Sequence, residues 1–250
     1  MGCALQSAQA SANMGMDLSY QGLPPGCGFV ELVREVAEKD LGEATYAQFI
    51  SGWLRRGDLR RGGVLHPAPG REGDYEDTAG KAFWDWCCMA VGRFPGIADR
   101  YLDLLRRWNG VHFMLSAKNR KSSRWPRPAP TDPRSWNDPV GAFDEVIGLA
   151  FYDAPPIAPG VVAVQGAPIR LIPATVVADI GPCVGALQFE EVASHLDEFL
   201  TLKHRTLFLT PAERSHKEWE FNVFRTLFED FKNFFVIAAD QRESVMVVYD

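Results

Sequence analysis

The chain reads as α+β: several helices packed on a small mixed or antiparallel sheet that includes both of its ends. Three observations predict this. Residues 16–23 (MDLSYQGL) alternate, with Leu18, Tyr20 and Gly22 pointing one way and Asp17, Ser19 and Gln21 the other. That is the period of a half-buried strand. Ser244–Tyr249 (SVMVVY) is rich in β-forming residues and reads as a final, buried strand. Between them, apolar residues recur at helical spacing, and no internal repeat or linker separates independent cores. Residues 14–250 therefore read as one domain whose helices cover the sheet.

The first strand is stopped by Pro24-Pro25-Gly26. Phe29, Leu32, Val33, Val36 and Ala37 then mark one helical face, and Tyr46, Phe49, Ile50, Trp53 and Leu54 a second, opening after Thr45. No apolar period persists over residues 56–78, where seven Gly and Pro residues punctuate a long loop. Helical patterning resumes near Ala79 with Phe83, Trp84, Trp86, Cys87 and Met89, until Phe94-Pro95-Gly96 breaks it. Ile97, Tyr101, Leu104, Leu105, Trp108 and His112 form the next helical face.

Residues 117–139 hold Pro126, Pro128, Pro130, Pro133 and Pro139, which regular structure does not tolerate. Beyond this second loop, a short turn of helix is followed by apolar pieces best read as short extended segments: Val146–Tyr152, Gly160–Gln165 and Ile169–Ile172. Pro173 has the place of a first-turn proline opening a helix through Val176, Val177 and Ile180. Residues 188–203 carry Phe189, Val192, Leu196, Phe199 and Leu200 on one face and acids on the other. Thr210-Pro211-Ala212-Glu213 is a helix start with the pattern of a capping box. The long helix it opens buries Phe224, Leu227, Phe228, Phe231, Phe235 and Ala238, with Phe221 and Phe234 widening the stripe. Arg242-Glu243 then turns the chain into the last strand.

Of the 250 residues, 46% are hydrophobic and 16 are Phe, enough to build a sizeable core. The net charge of −6 gives no global attraction for phosphate backbones, which argues against nucleic acid as a principal ligand. Five scattered cysteines without a CxxC pair fit a reducing compartment, with Cys87 and Cys88 as small hydrophobes within a helix. No run of 18 apolar residues occurs that would span a membrane, and residues 1–13 lack the pattern of a signal peptide. Gln6 stands where a myristoylation start needs Ser or Thr. Residues 1–13 read as a disordered extension, with Met14 or Met16 the natural beginning. The expected location is cytoplasmic.

Chemistry is constrained by what the spacing fails to provide. There is no GxxxxGK[ST], and Gly26-Cys27-Gly28 meets Glu31 where a dinucleotide fingerprint needs its third glycine. No GxSxG elbow exists, and the five histidines include neither HxxxH nor HExxH. Asp74, Glu76 and Asp77 lack the spacing of a calcium loop. No cofactor is implied. Glu191, His195 and Glu198, at i, i+4 and i+7 on one helix face, are the nearest approach to a metal site. The competing reading, a solvated polar face opposite the apolar stripe, is preferred. His112 within Val111–Leu115 is the one candidate catalytic group, weighed against a core histidine.

Charge is distributed unevenly. Between residues 118 and 134, six cations stand against Asp132, a local +5; Arg55, Arg56, Arg60 and Arg61 around Asp58 give +3; the remainder carries −14. Trp125 and Trp136 interleave with Arg120, Lys121, Arg124, Arg127 and Arg134. Arginine and tryptophan of this kind anchor protein interfaces, here against an acidic partner. A merely solvated loop is the competing and commoner reading of such a segment, and a single-stranded nucleic-acid platform, which shares the composition, is the least favoured.

Four features bear on family. Met14-Gly15-Met16-Asp17 leads straight into a strand, and Trp108 precedes Val111-His112-Phe113-Met114-Leu115. Asn137-Asp138-Pro139-Val140 follows a loop and precedes a glycine-containing apolar piece, and the chain closes on an aromatic helix and Val245–Tyr249. In this order the chain resembles the YfbM-like family, a bacterial domain of unknown function, over residues 14–250. It departs from that pattern at Ile172-Pro173-Ala174-Thr175, which loses a cap and two acids, and at 55–78, which looks like an insertion. The resemblance implies a fold and carries over no catalytic residues. The expectation is a non-catalytic protein-binding domain, of the immunity or accessory type; the alternative is a small-molecule hydrolase or transferase with a pocket around His112.

Overall fold

A computed structural model describes residues 18–38, 85, 86, 89, 90, 92–105, 107–115, 146–159, 161, 167–203 and 211–249. Among them runs a four-stranded antiparallel sheet made of β1 (Leu18–Leu23), β2 (Tyr101–Leu105), β3 (Arg170–Ile172) and β4 (Ser244–Tyr249), in the order β2-β1-β4-β3. The two ends of the chain thus pair at the sheet's centre. Leu18 faces Tyr249, Tyr20 faces Val247 and Leu23 faces Ser244 across the β1–β4 ladder. Five helices are bounded among the described residues: α1 (Phe29–Glu38), α2 (Trp108–Leu115), α3 (Ala174–Gly185), α4 (Phe189–Lys203) and α5 (Pro211–Asp240).

Alternation along the strands sorts their side chains to two faces. Leu18, Tyr20, Leu102, Leu104, Ile172, Val245, Val247 and Tyr249 join the larger core, roofed by α5 and α3. Leu23, Met246 and Val248 belong to a second core, completed by Phe29 and Val33 of α1, Trp86, Ile97, Ile157 and Val161. Both central strands are therefore covered on both sides, and every residue of β1 is buried. The expectation of a half-buried β1 is corrected here. Two of its polar side chains find partners inside: Gln21 Nε2 donates to the carbonyls of Gly22 and Ile97, both at 2.9 Å, and Tyr101 donates to the Ser19 hydroxyl at 3.2 Å.

The apolar stripe read for the last long helix is its buried face. Phe224, Phe228, Phe231, Phe235 and Ala238 are all at most 2% exposed, and Tyr20 meets the rings of Phe231 and Phe235 edge-on at 5.9 and 5.5 Å. Each such phenylalanine removes enough apolar surface from water to contribute roughly 1.5–3 kcal/mol. Three other readings need correction. Residues 97–112 are not one helix but a 3-10 turn (Ile97–Asp99), strand β2 and helix α2. The outer edge of β1 recruits Tyr101–Leu105 as a partner, and Leu102 and Leu104 alternate onto the core face. The segment Val146–Tyr152 is not extended: residues 146–148 are helical and Leu149–Asp153 is a π-helical turn. Pro173 stands one place earlier than expected, in the N-cap position of α3, and the helix runs on through Pro182 to Gly185.

Several expectations lie outside the described residues: the extension 1–13, the helix at 46–54, the loops at 56–78 and 117–139, Cys87 and Cys88, and the Thr210 cap.

Candidate functional site

His112 sits on α2, whose Trp108, Val111, Met114 and Leu115 are buried against the larger core. The imidazole is half-buried and packs edge-on against Phe151 at 4.9 Å. Phe151 in turn stacks on Phe231 at 5.4 Å, with 16° between the ring planes, and its carbonyl accepts the Tyr249 hydroxyl. The π-helical turn brings Phe151 into this pile, so His112 occupies the rim of an aromatic stack.

The proposed metal ligands behave differently from one another. Glu191 is exposed and turns back along its helix, where its carboxylate accepts the backbone N–H of Gln188 at 2.7 Å. It thereby serves the helix start, as the reciprocal half of a capping box does. His195 is only 8% exposed, which corrects the expectation of a solvated polar face at this position. The Glu198 side chain lies outside the described residues. Among the described residues, no group of three His, Cys, Asp or Glu side chains is placed to hold a metal ion.

Ionisable groups converge elsewhere, at a recess of about 410 Å³ between the entry to β2 and the last turns of α5. Asp99, Arg100 and Asp103 line it from one side, Asp230, Asn233 and Ile237 from the other, and Glu243 from the turn between α5 and β4. Glu243 is the buried member, 2% exposed, with the Arg100 guanidinium Nε at 3.6 Å. At that distance the two charges attract without forming a hydrogen bond. Burial pushes the Glu243 carboxyl above the ordinary glutamate range, and the opposing pull of Arg100 does not cancel it.

Local structure explains how a carboxylate comes to lie there. Arg242 adopts φ 56, the N–H of Arg242 bonds the carbonyl of Ala239, and the N–H of Glu243 bonds that of Ala238. This is a Schellman end to α5, in which the residue after the left-handed position folds back toward the helix. An apolar side chain usually makes that return contact; here it is Glu243. The carboxylate lies over Gly22 of β1, where an added Cβ would come within 2.5 Å of Glu243 Oε2 and 3.2 Å of Arg100 Cβ. Glycine is what opens the space.

The sequence marks Arg242-Glu243 only as a turn, and the recess was not foreseen. An acid in the return position of a helix end is the one local signal that could have found it. His112 lines neither this recess nor a second one, about 530 Å³, formed by Arg34, Ala37 and residues 156–159. Two thiols are described. Burial raises that of Cys27, with the charges of Glu31 and Glu243 adding to the effect, and pushes that of Cys183 up to about 11. Neither is activated as a nucleophile. The basic candidates Arg120, Lys121, Arg124, Trp125, Arg127, Arg134 and Trp136 lie outside the described residues. Compared with protein-family models, with curated proteins and with solved structures, the chain has no significant match.

Proposed function

We propose that the chain is a non-catalytic interaction protein, of the immunity or accessory type and YfbM-like, acting in a bacterial cytoplasm. Its partner is an acidic protein held by Arg120, Lys121, Arg124, Trp125, Arg127, Arg134 and Trp136. The observation that carries this reading is the separation of charge along the chain. A segment of +5 between residues 118 and 134, interleaved with tryptophan, belongs to a molecule whose net charge is −6. Such a segment steers an acidic surface toward it, and its Arg and Trp side chains supply the anchoring contacts. The place of His112 against Phe151 supports the same reading, since packing at the rim of an aromatic stack is a structural use for that ring.

The test is a comparative one. Wild-type chain and a variant carrying Arg120→Glu, Arg124→Glu and Arg127→Glu are used to capture proteins from cells of the source organism. The variant should melt at the wild-type temperature, and one acidic protein should copurify with the wild type at least tenfold more than with the variant. Equal recovery of every bound protein by the two chains would refute the reading.

A further inference from the structure

The Arg100–Glu243 pair joins three parts of the fold that are distant in sequence. Glu243 lies in the turn after α5, Arg100 immediately precedes β2, and the Glu243 carboxylate rests over the bare backbone of Gly22 in β1. The same junction carries the backbone bond from Gly22 N–H to the Arg100 carbonyl at 2.8 Å. A carboxylate 2% exposed has given up most of its hydration, and the cationic neighbour at 3.6 Å offsets part of that loss by Coulomb attraction. Arg100 is in a different position: its side chain is 23% exposed and borders a recess that also holds Asp99, Asp103 and Asp230.

We propose that Glu243 and Arg100 form a proton-sensitive latch, in which protonation of Glu243 frees the Arg100 guanidinium to turn toward the aspartates of the recess. The neutral carboxylic acid stays where it is, because burial favours it there. The guanidinium cannot lose its proton, so it takes the nearest remaining negative charge. Other charged groups around the carboxylate modulate the step. Cys27, in the turn after β1, is close enough for its thiol to feel the Glu243 charge. Asp99 and Asp103 approach from the β2 side and Asp230 from α5. From β1, Gly22 brings backbone only. With Glu243 ionised, four carboxylates and one guanidinium line the recess; after protonation three carboxylates remain to attract that guanidinium. The wall presented along β2 is thereby rearranged while the fold stays intact.

Carbon-detected NMR of the full chain, following the Glu243 carboxyl and Arg100 Nε from neutral to acidic pH, reads both groups directly. The carboxyl should titrate above the ordinary glutamate value, and the Arg100 signal should move with the same midpoint. In Glu243→Gln, the Arg100 signal should sit at the wild type's acidic position at every pH. The wild-type titration decides the matter even if that variant folds poorly. A Glu243 midpoint at or below the ordinary value, or an Arg100 signal that stays still while Glu243 titrates, overturns the latch.

Discussion

Glu243 shows how one buried charge ties stability to pH, and the sign can be worked out from its environment. Its carboxyl is held above its ordinary range in the folded chain, chiefly by burial. A group raised in this way binds its proton more tightly folded than unfolded. Its contribution is fully present below the unfolded value and is lost as the pH rises through the folded one. Glu243→Gln, which keeps the shape of the neutral acid, should remove that loss. Chemical denaturation at a series of pH values should therefore show wild type and variant matched in acid, with the variant gaining on the wild type toward neutrality. Parallel curves across the whole range would mean that the carboxylate is better accommodated than its burial implies. Little of this was legible in the sequence. Arg242-Glu243 signals a turn, but only the folded chain places Gly22 beneath the carboxylate and Arg100 beside it. The three residues are brought together by strand pairing across the length of the chain, and no local spacing records that.

At the scale of single elements, legibility followed the length and regularity of the hydrophobic pattern. Helix α5 repeats its stripe over many turns, and five of the six residues the spacing marks are buried, with Leu227 partly buried and Glu220 buried outside the stripe. Strand β2 was hidden because Tyr101, Leu104, Leu105 and Trp108 fit a helical face as well as they fit a strand. In five residues the two periods cannot be separated, and the demand of β1 for a neighbour decides between them. A close helix contact was likewise invisible. Gly181 of α3 lies against α5, so that an added Cβ would stand 2.9 Å from the Phe235 carbonyl and 2.5 Å from Ala239 Cβ. The carbonyl is backbone and cannot step aside, so the two helices must separate to admit a methyl group. Gly181→Ala is expected to cost about 1–3 kcal/mol despite its better helix propensity, as overpacking in a filled core does. Urea unfolding measures this, and a variant as stable as the wild type would show that the α3–α5 contact yields.

The whole molecule is closed by its last strand. β4 pairs with β1 on one side and with β3 on the other, so it is internal to the sheet. It sends Val245, Val247 and Tyr249 into the larger core and Met246 and Val248 into the second, all at most 6% exposed. That both outermost strands belong to the sheet was the part of the architecture most legible in the sequence, because one alternates and the other is β-rich; that they pair at its centre was not read from it. The two cores on opposite faces were less legible, because alternation predicts one covered face and does not say what covers the other. The consequence is that distant contacts carry the fold. β1 and β4 pair across nearly the whole length of the sequence, and closing so long a loop makes folding slow relative to a chain built from local contacts. Deleting residues 245–250 should therefore do more than shorten an edge. It removes five buried side chains, leaves β1 with one of its two neighbours, and separates β3 from the sheet altogether. The truncated chain should lose its near-ultraviolet circular dichroism and its cooperative thermal transition while keeping part of its helical signal, the mark of packing lost from both cores at once. A sharp transition near the wild-type temperature in that chain would show that the helices fold without the sheet's centre, and that the final strand is an addition to the fold instead of its closure.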